Sequence, residues 1–339
     1  MLEHLEKLCM LSGISGDEGC VRDYICSQID GKCEYKTDNL GNIIAFKKGR
    51  KIPSKKLLID AHMDEVGFIV TYIKDDGTLA FAPVGGIDVS VVTGRHVLVG
   101  KNHLNGIIGS KAVHNLSDDE KDKFPSFKKL YIDIGAKNKE DASGYVRAGD
   151  SVCFDSEYIM FGDDKIKCKA IDDRAGCAIL IDLINSDIEY DTYFSFSVQE
   201  EVGLRGAKTA AFAVNPDFAI IAETTTAADI YGAADEKRVC ELGKGAVVSF
   251  MDRSTLYDRE LFNLAFAAAK EKNIPCQTKS MVAGGNNSGA VHLSGNGVRT
   301  LAVSAPCRYL HSPSCVVKYS DIEACENLIM EMISRIQSL

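Results

Sequence analysis

Tryptophan is absent from the 339 residues, none of the twelve cysteines belongs to a CxxC pair, and no apolar run nears the ~20 residues of a membrane span. The missing tryptophan excludes little. The missing apolar run argues against a membrane protein. The cysteines are dispersed, several in apolar or helical contexts such as Cys9, Cys26, Cys177 and Cys325. They read as free, mostly buried thiols of a cytoplasmic protein, not as a disulfide framework, and no cysteine stands out as a nucleophile. A basic excess is also missing: 39 Lys and Arg face 48 Asp and Glu, a formal charge of −9. Nucleic acid and anionic membranes attract basic patches, so neither is an expected partner. The longest basic run, Lys47-Lys48-Gly49-Arg50-Lys51, reads as a solvated turn. A signal-peptide core is lacking too, because Met1 to Cys9 reads as a charged amphipathic helix.

What is present is an ordinary globular composition, 45% hydrophobic and 26% charged. Leu2, Leu5, Leu8 and Cys9 recur at helical spacing, and a second amphipathic run begins at Glu18. Ser12 to Asp17 between them has loop and cap chemistry. Asn39-Leu40-Gly41-Asn42 predicts a turn into a strand at Ile43 to Phe46. Leu57 to Ala61 is a nearly continuous apolar strand, the pattern of a sheet buried on both faces. From Gly67 to about Lys167 short β-rich runs alternate with Gly and Asp turns, which predicts an all-β insert, a small barrel or sandwich. Asn115 to Lys129 within it reads as a long loop or lid. Helices and apolar strands then alternate: a helix at 176–183, a strand at 192–198, a helix at 204–213, a strand at 218–222, a helix at 258–271 and a strand at 297–303. A closing helix spans 320–338, with Ser320 and Glu323 spaced as a capping box. The expected fold is α/β: an α/β/α sandwich catalytic domain from residues 1–67 and 168–339, interrupted by a small all-β, barrel-like domain at 68–167.

Five segments place a metal-ligand type where a strand should end or a turn begin. They carry His62 and Asp64, Asp172 beside Asp173, Glu200 beside Glu201, Glu223, and His311. Ligands bind beyond the carboxyl ends of the strands in such sheets. Residues i and i+2 of an extended segment point the same way, so Asp64 is placed to fix the His62 tautomer. One carboxylate of Asp172-Asp173-Arg174 can bridge two cations while its neighbour caps a helix and pairs with Arg174. Glu200 and Glu201 are costly to ionise side by side without a compensating cation. Each segment alone has a plain alternative: a surface histidine, an acidic first turn, a polar loop. Two imidazoles and three carboxylates together suffice for two divalent cations, which points to metal-assisted hydrolysis.

On these motifs the chain resembles the tetrahedral-type dinuclear metallo-aminopeptidases, the family that includes glutamyl and deblocking aminopeptidases. The matching segments are Ala61 to Gly67, Ile171 to Cys177, Gln199 to Ala207 and Arg308 to Ser312, and the similarity runs essentially end to end. The resemblance implies that His62, Asp172 and Glu223 hold one metal. Asp172 would bridge to a second metal held also by Glu201 and His311. Glu200 would be the general base and Asp64 would orient His62. It implies zinc or cobalt, two ions per subunit, short peptide substrates and a homo-oligomer, a dodecamer whose inserted β domain contributes to assembly.

The chain departs from that family twice. Glu223 stands where the family usually has Asp. Gly284 to Gly289 lacks the usual Gly-Thr-Asp, with Asn287 in the place of the acid, which would change the field around the substrate amine. Rival readings are an N-acyl amino acid deacylase or carboxypeptidase, and a weakly active peptide-binding scaffold. Relatives have also been labelled endoglucanases, but no carboxylate pair across an aromatic-lined cleft supports that chemistry. Arg205 and Arg308 are candidate contacts for an acidic first residue, with structural ion pairs as the competing reading.

Overall fold

The helical spacing at the start of the chain becomes α1 (Leu2–Met10), which buries Leu5, Leu8 and Cys9, followed by α2 (Gly19–Ile29). The computed structural model describes residues 1–121 and 123–339. β1 (Glu34–Thr37) and β2 (Ile43–Lys47) form an antiparallel hairpin. Its turn is organised by Asp38, whose Oδ1 accepts the backbone N–H groups of Leu40, Gly41 and Asn42. β3 (Leu57–His62) is buried at every residue, as its apolar run predicts.

The β-rich stretch closes into a six-stranded antiparallel barrel in the order β4-β5-β8-β7-β6-β9. Its strands are β4 (Gly67–Ile73), β5 (Leu79–Val84), β6 (His96–Val99), β7 (Leu104–Gly109), β8 (Tyr131–Asp133) and β9 (Ser151–Phe154). Closure leaves no open sheet edge. Inside, the Phe68 ring meets Phe81 and Phe154 edge-on at 5.1 and 5.2 Å. The segment from Asn115 to Lys129 is not a plain loop, since it carries the one-turn α3 (Asp118–Lys121) and a 3₁₀ turn at Phe127–Lys129. Asp122 in that stretch lies outside the described residues. A second short helix, α4 (Lys139–Ser143), precedes β9.

The chain then returns to the large sheet with β10 (Ile159–Phe161), β11 (Lys165–Cys168), the helix α5 (Ile171–Asn185) and β12 (Thr192–Ser197). Next come α6 (Arg205–Val214), β13 (Phe218–Thr226), β14 (Ala246–Val248), α7 (Arg259–Lys272) and β15 (Cys276–Thr278). α8 (Ser288–Val291), β16 (Arg299–Arg308), β17 (Cys315–Lys318) and α9 (Tyr319–Arg335) complete it. The sheet runs β1-β2-β12-β3-β13-β16-β17-β11-β10, with β14 joining β16 to β15. Its centre, β12-β3-β13-β16, is parallel. Apolar residues of α1, α2, α5, α7 and α9 pack on one face, and those of α6 and α8 on the other. The fold is thus a mixed α/β sandwich beside a barrel.

Three details differ from the sequence expectations. β10 and all but the last residue of β11 lie within the expected insert, yet β10 pairs with β11 and β11 pairs with β17 of the large sheet. Alternating burial marks a strand but does not name its sheet. β13 continues through Thr226, because each residue up to Thr226 finds a register partner on β16. Glu223 is therefore within a strand, not at its end. The closing helix begins one residue early, at Tyr319, with no side-chain cap of its own. Asp164 caps it from outside, accepting the N–H of Ser320 at 3.0 Å, so the Ser320–Glu323 capping box does not form.

Candidate metal centre

Because β3, β12, β13 and β16 are parallel, their carboxyl ends share one edge. His62 is the last residue of β3, in register with Ser197 at the end of β12, so the Glu200 and Glu201 turn starts beside it. Gln199 adopts a left-handed φ of 56° and the Glu200 carbonyl accepts from Gly203 at 2.9 Å. This turn lets both adjacent glutamates line one cleft with His62, Asp172, Glu223 and His311. The sequence-predicted residues of the centre are thereby brought together.

Asp172 lies at a break near the start of α5, where it and Asp173 leave helical geometry and are joined by a cis peptide. Its Oδ1 faces His62 Nε2 at 3.4 Å, and its Oδ2 faces His311 Nε2 at 3.4 Å. Glu223 Oε1 is 3.7 Å from the first imidazole, and Glu201 Oε1 is 3.3 Å from the second. One carboxylate thus stands between two imidazole and carboxylate pairs. Asp173 faces inward: its Oδ1 accepts the Gly176 N–H at 3.0 Å and its Oδ2 accepts the His62 N–H at 3.3 Å. A Cβ at Gly176 would collide with the Asp173 carboxylate and the Ala222 carbonyl. The expected Asp173–Arg174 pair does not form. Arg174 reaches Glu65 and the Leu8 and Gly13 carbonyls, which tie the α1–α2 loop to the floor of the site.

Both imidazoles are oriented from behind. His62 Nδ1 donates to the Asp64 carbonyl at 3.0 Å, and His311 Nδ1 donates to the Gly86 carbonyl at 2.6 Å. A carbonyl only accepts, so each ring donates from Nδ1 and directs Nε2 into the cleft, where its proton is the one a cation would displace. The Asp64 carboxylate is 3.5 Å from His62 Nδ1 and has other partners. It accepts the N–H groups of Glu200 and Glu201 and the Ser15 hydroxyl, at 3.0, 3.1 and 2.6 Å. Glu18, read in the sequence only as the start of a helical run, takes the neighbouring N–H of that turn, from Gln199, at 3.2 Å. Two carboxylates therefore hold the backbone of the turn that presents Glu200.

The electrostatics are those of a site built for cations. Burial, reinforced by Glu201 and Asp172 against the opposing pull of His62, pushes Glu200 up to about 8. Burial likewise raises Glu201 and Glu223, with Asp172 adding to both. Burial opposes protonation of His311, but the hydrogen bonds its ring donates to Asp172 and Glu201 carry it up to about 11. Crowded buried carboxylates of this kind need an opposite charge. Donor atoms of His62, Asp173 and Glu223 lie within 4.8 Å of one another, as do those of His62, Glu200 and Glu201, and those of Asp172, Glu201 and His311. Imidazole nitrogen with carboxylate oxygen suits zinc, cobalt and similar divalent ions, so the residues fit such a group.

Apart from Gly284, Gly285 and Asn286, which belong to the Gly284 to Gly289 segment singled out above, the rest of the cleft was not legible in the sequence. Thr224, Thr225, Ser249, Ser304, Lys279 and Asn286 line it. Thr224 and Thr225 read as polar residues past a strand end. Lys279 follows a three-residue strand too short for any periodic signal. Asn287, expected near the substrate amine, does not line the cleft. It is buried under the sheet, donating from Nδ2 to Asp60 Oδ2 at 2.7 Å and to Ser197 Oγ at 2.8 Å. Arg308 is bound on both arms by Asp229 at 2.7 Å, and Arg205 contacts Gln199 at 3.3 Å. Neither arginine lines the cleft.

Comparison with known proteins agrees with this picture. A family model described as M42 glutamyl aminopeptidase matches residues 41–328. A provisionally assigned aminopeptidase of Acetivibrio thermocellus is 39% identical over 337 residues, 98% of each chain. The lysyl aminopeptidase of Pyrococcus furiosus is 31% identical, covering 96% of this chain and 94% of that one. The TET1 peptidase of Pyrococcus horikoshii, whose structure is described as able to assemble into a tetrahedron or a large octahedral shell, superposes with a TM-score of 0.87. It is 33% identical and covers 98% of both chains.

Proposed function

The chain belongs to the M42 glutamyl aminopeptidase family of metallopeptidases, and on that premise we propose that its cleft removes the N-terminal residue of short peptides with two divalent cations. The observation that carries this is Asp172, whose two oxygens face two imidazoles at 3.4 Å each. In this reading His62, Asp172 and Glu223 hold one zinc or cobalt ion, and Asp172, Glu201 and His311 hold the other. When bound, the cations supply Lewis acidity that polarises the scissile carbonyl and acidifies the attacking water.

The protein's own part is proton handling and placement. Glu200 takes the proton from the water as it attacks the carbonyl carbon. It then delivers that proton to the departing amine nitrogen, so the C–N bond breaks with neutral products. Its backbone is held by Asp64, and the adjacent Gln199 by Glu18. Asp64 acts on His62 through its carbonyl and on Glu200 through its carboxylate. Glu223 is one methylene longer than the family's usual aspartate and still comes within 3.7 Å of His62 Nε2.

Glu200→Gln, at metal content equal to wild type, is expected to lower turnover of an aminoacyl reporter by about 10²- to 10⁴-fold. Activity within a few-fold of wild type would remove Glu200 as the base. N-acetylated reporters should be inert, and their cleavage in preference to free-amine ones would favour a deacylase. By analogy with the closed assemblies described for the P. horikoshii protein and the dodecamer described for another similar TET1 structure, we also propose a closed homo-oligomer of twelve chains in which the barrel contributes contacts. Light scattering should give about twelve times the mass of one chain; a monomer or dimer mass at working concentration would exclude it.

A further inference from the structure

Family membership leaves the identity of the removed residue open, since the names glutamyl and lysyl aminopeptidase both occur among the matches. The wall of the cleft away from the imidazoles speaks to it. Along the sheet, Glu223 on β13 is in register with Ser304 on β16, Ser304 with Val247 on β14, and Val247 with Gln277 on β15. Lys279 follows the end of β15, where its N–H donates to the Val248 carbonyl at 3.2 Å. It therefore stands on the same sheet as Glu223, three strand spacings away, or about 14 Å between backbones. Its long side chain reaches back into the cleft, which it lines with Glu223, Thr224, Ser249 and Asn286.

Lys279 is only 7% exposed, and a lysine so enclosed is uncommon unless its charge is matched. Its Nζ donates to the Ala283 carbonyl at 2.6 Å. Among the described residues no carboxylate forms an ion pair with it, Asp252 and Glu223 favour its charge only from a distance, and Ala283 is its one acceptor. An ammonium has three donors, so two are left for a ligand. A second orphan shares the cleft: Thr224 Oγ1 is buried without a hydrogen-bond partner. The arginines singled out in the sequence offer no competing anion site, since Arg308 is committed to Asp229 and Arg205 lies outside the cleft.

We propose that Lys279 is a specificity determinant that receives the side-chain carboxylate of an N-terminal glutamate or aspartate, so that the cleft selects peptides with an acidic first residue. The inference rests on the aminopeptidase reading. The scissile carbonyl belongs at the Asp172 end and the substrate carboxylate at the Lys279 end. A glutamine in the same place offers an amide without the charge, and a lysine brings like charge to a buried ammonium.

The test uses the full chain supplied with cobalt or zinc and the p-nitroanilides of Glu, Asp, Gln, Leu and Lys. Wild type should favour Glu over Gln in kcat/KM by about 10- to 100-fold, the range of a hydrogen bond to a charged group. Lys279→Met should collapse that ratio, chiefly through KM, and Lys279→Arg should restore part of it. A non-catalytic readout runs alongside: in a Glu200→Gln background, calorimetry should show free L-glutamate binding more tightly than L-glutamine, with the difference lost in Lys279→Met. If wild type cleaves Gln and Leu reporters as well as Glu, or if Lys279→Met leaves the ratio unmoved, Lys279 merely tethers Ala283 and the proposal is overturned. The wild-type ratio decides the matter even if the variants do not fold. If wild type cleaves no free-amine reporter, the aminopeptidase reading fails instead, and the glutamate and glutamine binding difference still judges Lys279 separately.

Discussion

At the scale of single residues, identity in the sequence and task in the site come apart in an informative way. Asp64 and Asn287 both read as neighbours of the chemistry. Asp64 stands beside His62, but most of its carboxylate bonds hold the Glu200 turn, not the imidazole. Asn287 is a buried partner of Asp60, whose carboxyl group burial raises to about 6 against hydrogen bonds from Ser195 and Asn287. An amide suits that place because it donates where a second carboxylate would repel. Asn287→Asp should therefore cost stability on the order of 3 kcal/mol, the penalty of an uncompensated buried charge. Thermal or urea unfolding at neutral pH checks it, and a change below about 0.5 kcal/mol, the scale of ordinary surface substitutions, would show the pocket to be solvated. Such distinctions are invisible in one sequence, because Asp60 and Asn287 are 227 positions apart.

At the scale of elements, caps and registers decide where strands and helices end. Asp258 illustrates it: its Oδ1 accepts the N–H groups of Glu260 and Leu261 at the start of α7, and both oxygens meet Arg299 on β16, at 2.7 and 2.9 Å. Asp258→Ala should destabilise by about 1–2 kcal/mol through the lost cap, and Asp258→Asn by less, since an amide oxygen still caps. The Arg299 guanidinium holds Asp258 below its usual carboxylate range. A depressed folded pKa stabilises at every pH above the unfolded value of about 3.9 and loses that contribution as pH falls through and below it. Melting curves of wild type and Asp258→Asn should therefore differ at pH 7 and draw together as the pH falls below that unfolded value. A constant offset would mean that the charge is irrelevant. The start of α7 was legible because its cap lies beside it in the chain. The start of α9 was read to within one residue, but its cap was not, because Asp164 arrives from far upstream.

At the scale of the whole molecule, the barrel and the sandwich meet at the chemistry, where Gly86, in the segment after barrel strand β5, orients His311 from the β16–β17 loop. The crowded carboxylates make the metal-free centre a local liability, so divalent ions should stabilise the fold as well as activate it. Titrating cobalt or zinc into stripped protein should raise its melting temperature, by about 2.7 kcal/mol of stability once free metal is a hundredfold above Kd. Asp172→Asn should abolish most of that gain, and an unchanged melting curve on metal addition would argue against ligation by this set. The amino-acid sequence by itself determined the alternation of helix and strand, the position of the β-rich unit and the ligand types. These rest on local periodicity and on chemistry carried by single residues. Only the tertiary structure decided which sheet β10 and β11 join, that the two oxygens of Asp172 stand between two imidazoles, and that Lys279 comes within one cleft of Glu223. These depend on strand register across the sheet, and register is settled by packing between segments far apart in the chain.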